Sequence, residues 1–228
     1  MKIINLFFSL ALILLMISCN TSTNKQTIVI EEGKVGMIGF GSLMSLKRTE
    51  DVFKHKYTDS IYLVHLEGYK RTWDYVTSNY DKQVYTEEDL KHDRYYLSGK
   101  DTLIFDNTIY LNITEHMGKP MNCVLYIVTE DEIKEMDLYE FGYERIDVSE
   151  NIKEYSFAGG KVYAYKAAPE YLYDSEKTKG TTIIEQDYFE LVTNACDSIG
   201  SNFKKEYDAT TSTMNLELVT PVFWKKVR

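Results

Sequence analysis

The chain has 228 residues, 35 of them Asp or Glu against 26 Lys or Arg, for a formal net charge of -9. An acidic balance with no basic patch disfavours a phosphate backbone as partner, and no nucleic acid is expected to bind. Length and apolar content suit one domain with a substantial core.

Residues 1–18 read as a bacterial export signal, because Lys2 is followed by an uncharged apolar run over 3–17. At roughly 15 residues the run is short for a membrane span, which needs about 20. Met16-Ile17-Ser18-Cys19 resembles a bacterial lipobox, with Leu15 one place early for the usual pattern. Cys19 is therefore the expected lipid attachment point, giving an exported protein held to a membrane; plain secretion with an ordinary Cys19 is the alternative. Residues 19–33 read as a polar tether. Residues 34–228 read as one α+β domain without internal repeats.

Within that domain, 35–40 is a short apolar run ending at Gly41-Ser42, the pattern of a buried strand entering a tight loop. Strand character returns at 61–66 and 71–77, with a bend at Gly68 between them. Residues 78–107 are polar and tyrosine-rich with little periodicity, so they predict an excursion from the core, a possible insertion or lid. Strands follow at 108–114 and 122–128, the second apolar enough for a central position. Thr129 and Glu132 form a capping box, Ile133 and Met136 share a face, and Gly142 can terminate, so a helix is predicted over 130–140. Strands are predicted at 143–148 and 161–167, a second amphipathic helix at 184–199, and a β-like tail around 216–223. The pattern predicts a mixed sheet or small barrel with helices packed outside. Cys123 and Cys196 could pair in an oxidising compartment or stay as separate buried thiols.

His55, His65, His92 and His116 are scattered without metal-ligand spacing, so neither a metal nor an organic cofactor is expected. The glycines around Ser42 match neither a nucleophile elbow nor a dinucleotide fingerprint. What Gly39-Phe40-Gly41-Ser42-Leu43-Met44 can do is turn at a strand end and present backbone N–H groups to a carboxylate or a developing oxyanion. Glu140 falls in the last turn of the predicted helix, where the dipole disfavours an ionised carboxylate and should raise its pKa. A bland alternative is that Glu140 is exposed or pairs with Lys134 or Arg145.

Together these segments resemble the γ-glutamylcyclotransferase-like family. Gly39-Phe40-Gly41-Ser42-Leu43 is similar to its Tyr-Gly-Ser-Leu loop, and Met136 to Arg145 to its Leu-Asp-x-x-Glu-x-x-Tyr-x-Arg stretch. Leu66-Glu67-Gly68-Tyr69-Lys70-Arg71, Val124-Leu125-Tyr126 and Val162-Tyr163-Ala164-Tyr165 resemble three further segments in the family's order. The resemblance implies a compact mixed β-barrel, Glu140 as the catalytic acid/base, and Gly39, Phe40, Gly41, Ser42 and Leu43 as the substrate-binding loop. Tyr188 resembles a further binding tyrosine and could equally be a core aromatic. The implied substrate is a small γ-glutamyl compound, cyclised to 5-oxoproline with release of its amine. Phe40 in place of the family's tyrosine, and the long stretch at 78–107, favour the alternative, a non-catalytic module that binds a γ-glutamyl or carboxylate ligand on the same fold. Nothing in the sequence sets the oligomeric state.

Overall fold

In the computed structural model, which describes residues 25–80 and 95–225, strand formation begins at β1 (Gln26–Val29), inside the stretch expected to be tether. The difference has a simple cause: Ile28 and Ile30 are buried, and β1 pairs in parallel with residues Tyr155–Ala158. Cys19, the export signal and residues 81–94 of the expected lid lie outside the described residues.

Strand β2 (Lys34–Gly39) runs into a single 3-10 turn at Ser42–Met44 and then helix α1 (Leu46–Phe53). The sequence reading omitted α1 because one of its two buried residues is Thr49, which breaks the apolar stripe. Ser45 caps this helix, its hydroxyl accepting from the Arg48 N–H at 3.4 Å. Strands β3 (Ile61–Leu66) and β4 (Tyr69–Ser78) flank Gly68, whose φ of +83° turns the chain from one sheet to another.

The stretch expected to leave the core contains a hairpin, β5 (Tyr95–Ser98) with β6 (Asp101–Leu103). Strands β7 (Asn107–Glu115) and β8 (Met121–Thr129) follow, and every residue of β8 except Thr129 is buried. Then come helix α2 (Glu130–Tyr139) and strands β9 (Tyr143–Asp147), β10 (Tyr155–Ala158), β11 (Val162–Ala167) and β12 (Thr182–Glu185). Helices α3 (Gln186–Ile199) and α4 (Ser201–Thr210) precede the short strands β13 (Val219–Thr220) and β14 (Phe223–Lys225). Two helices were expected where four are described. Helix α4 escaped notice because only Phe203, Tyr207 and Thr210 of its residues are buried.

The five-stranded sheet has the order β3-β8-β2-β11-β9, and the β2–β11 pair is its one parallel ladder. A four-stranded sheet, β13-β12-β7-β4, carries an irregularity in β4: Thr72 pairs with Asn112 and Tyr75 with Tyr110, leaving one extra residue on the β4 side. The core joins Met37, Leu125, Leu111 and Ile113 of these sheets to Met136 of α2, Val192 of α3 and Phe203 of α4. The fold is α+β, mixed sheets with helices packed against them, and the described strands form no closed barrel. Leu103 and Phe105 pack in a small cluster of their own with Ile183 and Val222. Cys123 and Cys196 are separate buried thiols, each pushed up to about 11 by burial. No helix among the described residues is long and apolar enough to cross a membrane.

Candidate active site

The glycine-bearing turn is shaped by close backbone approach. A Cβ on Gly39 would meet the Leu43 carbonyl oxygen at 2.4 Å, so only glycine lets β2 fold back on the following turn. The turn closes through Met44 N–H to the Gly41 carbonyl and Ser45 N–H to the Ser42 carbonyl, both 3.0 Å. The Phe40 ring goes into the core, 7% exposed, while its carbonyl accepts from Nε of Arg71 at 2.7 Å.

Arg71, on β4, is fully buried and satisfied by neutral acceptors. Its Nη1 donates to Asn122 Oδ1 and Thr210 Oγ1, each at 3.3 Å, and its Nη2 to the Asn122 carbonyl. The Tyr207 ring lies 4.8 Å from the guanidinium carbon. Among the described residues no carboxylate pairs with this charge. Arg71 thus ties the turn after β2 to the central strand β8 and to α4.

Glu140 reaches the same region from the other side. The capping box at the start of α2 is formed as expected, with Thr129 N–H to Glu132 Oε2 at 2.7 Å and Glu132 N–H to Thr129 Oγ1 at 3.2 Å. At its end Glu140 is the C-cap, its N–H donating to the Met136 carbonyl at 2.8 Å, and Gly142 at φ +77° turns the chain into β9. Lys134 pairs with Asp131 and Arg145 with Asp137, so neither takes the Glu140 carboxylate. Burial raises the Glu140 pKa to about 7 against a smaller opposing pull from Arg48. Desolvation acts in the same direction as the helix dipole invoked from the sequence.

A cavity of about 230 Å3 is lined by Glu140, Ser42, Arg48, Thr77 and a wall of aromatic rings. A small hollow of about 20 Å3 shares Ser42, Glu140, Tyr143 and Tyr188 with it and adds Phe40, Gly41 and Leu43. The structure therefore brings Glu140, Phe40, Gly41, Ser42, Leu43 and Tyr188 together, whereas Gly39 lines neither space and acts through its backbone. Tyr188 comes from α3; its hydroxyl accepts from Leu111 N–H at 3.3 Å, and a Cβ on Gly41 would approach that hydroxyl to 3.2 Å. Burial holds the Tyr143 and Tyr188 phenols well above the usual tyrosine range.

Sequence reasoning missed Arg48, which arrives on the unnoticed α1. Its Nη2 donates to the Tyr139 hydroxyl and its guanidinium lies 5.2 Å from the Tyr139 ring centre, while its Nε is buried without a hydrogen-bond partner among the described residues. Tyr139, Phe141 and Tyr143 were visible as aromatics flanking Glu140. Tyr75 and Tyr110 belong to strands distant in sequence and left no local signal. Among the described residues no group of three or more His, Cys, Asp or Glu side chains is placed to hold a metal ion.

No model of a known protein family and no curated protein matches the chain. A solved structure described as gamma-glutamyl cyclotransferase is similar with a TM-score of 0.48 and 11% identity, covering 82% of this chain and 94% of that one. An uncharacterized protein from Homo sapiens gives a TM-score of 0.48 and 13% identity over 82% of this chain and 96% of its own. A solution structure from Arabidopsis thaliana gives 0.37 and 15% over 64% and 76%. Likenesses of this size say nothing about chemistry, which is read from the side chains instead.

Proposed function

We propose that this protein is an exported, lipid-anchored γ-glutamylcyclotransferase-like enzyme that converts a small γ-glutamyl amine to 5-oxoproline and the free amine. The observation that supports this reading most is a desolvated carboxylate, without an ion-pair partner among the described residues, that shares one hollow with a glycine-bearing backbone turn.

The chemistry needs little more. Glu140 takes a proton from the substrate's α-ammonium, and the freed amine attacks the γ-carbonyl carbon of the same molecule. The N–H groups of Gly41 and Ser42 hold the oxyanion of the tetrahedral intermediate. Glu140 then returns that proton to the leaving nitrogen as its bond to the γ-carbon breaks, and the ring nitrogen gives up its second proton to the expelled amine, which leaves as its ammonium; no net proton is gained or lost and no enzyme nucleophile forms. Because ring closure is intramolecular, holding the chain folded supplies much of the acceleration. Arg48, which lines the cavity beside Glu140 and carries the one positive charge there, is suited to bind the substrate's α-carboxylate.

The test is incubation of the mature protein with γ-glutamyl amines and detection of 5-oxoproline. A ligand-induced rise in melting temperature without product would select the binding-module reading instead. Arg48→Met is expected to raise KM roughly 10- to 100-fold, the loss of one charged hydrogen bond. The same change should move the Glu140 limb of the pH–rate profile upward, because Arg48 favours the ionised carboxylate. An unchanged KM and limb would remove Arg48 from the site. The anchor is checked separately: labelled fatty acid should enter the protein in cells and fail to enter Cys19→Ala. Equal labelling of both would move the attachment point elsewhere.

A further inference from the structure

Given the cyclisation reading, on which this inference rests, the geometry points to a neutral, aromatic or branched apolar group as the amine half of the substrate. The larger cavity extends from Ser42, Arg48 and Glu140 to the rings of Tyr75, Tyr110 and Phe141. Of its lining residues only Arg48 and Glu140 carry charge. Once Arg48 holds the α-carboxylate and Glu140 moves the proton, no cation remains for an amine half with its own carboxylate. Equally, no second carboxylate remains for an amine half with an ammonium.

Several of the ring hydroxyls are already engaged with the backbone, which leaves those rings to offer mainly their apolar faces. Tyr75 donates its hydroxyl to the Phe141 carbonyl, Tyr143 donates to the Leu111 carbonyl at 2.6 Å, and Tyr188 accepts from the Leu111 N–H. They lock one another in place: Tyr75 and Tyr143 have centroids 4.0 Å apart, and Tyr110 meets Tyr188 edge-on at 4.9 Å. Such a wall is set before any ligand arrives, so an aromatic leaving group stacks without first ordering the site.

The deciding experiment offers the mature protein an equimolar mixture of γ-glutamyl-benzylamine, γ-glutamyl-alanine and the γ-glutamyl conjugate of a lysine side chain. The three released amines are followed by mass spectrometry. The benzylamine conjugate is expected to lead by about tenfold or more in kcat/KM, the scale of one well-filled apolar subsite. Tyr110→Ala should bring the benzyl-to-alanyl ratio down toward one. Where that variant does not fold, the wild-type competition decides alone. Equal consumption of the three, or a lead by either charged conjugate, would overturn the inference while leaving cyclisation standing. Absence of 5-oxoproline from all three would overturn cyclisation and the inference with it.

Discussion

Glu140→Gln is expected to abolish formation of 5-oxoproline. The amide keeps the shape of the side chain but can neither take the proton from the α-ammonium nor return one to the leaving nitrogen. Loss of a placed acid/base typically costs about 10²- to 10⁴-fold, and here one carboxylate serves both steps. Wild-type kcat/KM should rise with pH through a limb near 7, where Glu140 ionises. Turnover by the glutamine variant at the wild-type rate would remove the mechanism.

The same substitution carries an opposite prediction for stability. Glu140 has its pKa raised in the fold, from 4.5 to about 7, so folding favours the neutral form. That contribution is fully present below pH 4.5 and is lost as pH rises through about 7. At about 1.4 kcal/mol per unit, ionisation costs the fold up to about 3.5 kcal/mol. Glu140→Gln avoids the cost. It should melt several degrees above the wild type at pH 8 and level with it at pH 4, measured by thermal denaturation. A gap of the same size at both pH values would show that the gain has another origin.

The second large effect is expected at Arg71. Lysine keeps the charge, but a single nitrogen cannot serve the Phe40 carbonyl, the Asn122 carbonyl and side chain, and Thr210 at once. Each buried acceptor left without a donor costs about 1–3 kcal/mol. Arg71→Lys should therefore lose at least about 3 kcal/mol, a drop in melting temperature of roughly 6–12 °C for a chain of this size. Activity should also fall at temperatures where the variant remains folded, because the Phe40 carbonyl is released and the N–H groups of Gly41 and Ser42 lose their aim. A melting temperature within about 2 °C of wild type would contradict the strut role.

Much of this was readable from local patterns. Strand β8 showed as an unbroken apolar run, the start of α2 as a reciprocal pair of side chains, and the turn after β2 as glycines at a strand end. Glu140 stood out because acidic residues are unfavourable where a helix ends, while the burial that raises its pKa depends on tertiary packing. Other features depend on tertiary placement. Ile183 and Ile184 suit a strand or a helix, and pairing of Thr182 and Ile183 with β7 decides for β12. Arg48 acquires meaning only when α1 and α2 pack so that Tyr139 meets it, and the aromatic wall forms only when β4, β7 and α3 converge. Arg71 entered only as the end of the 66–71 segment and the first residue of a predicted strand, and its bracing role depends on a burial that β4, β8 and α4 create together.

The extra residue in β4 has one more implication. Upstream of it Arg71 braces the backbone that would bind the invariant glutamyl portion, and downstream of it Tyr75 and Thr77 face whatever is attached. Under the proposed cyclisation, a single irregular step separates the strand segment that braces the glutamyl-binding turn from the segment that meets the leaving amine. Under that reading, residues past the step could be exchanged to admit new leaving groups without disturbing the turn that Arg71 braces.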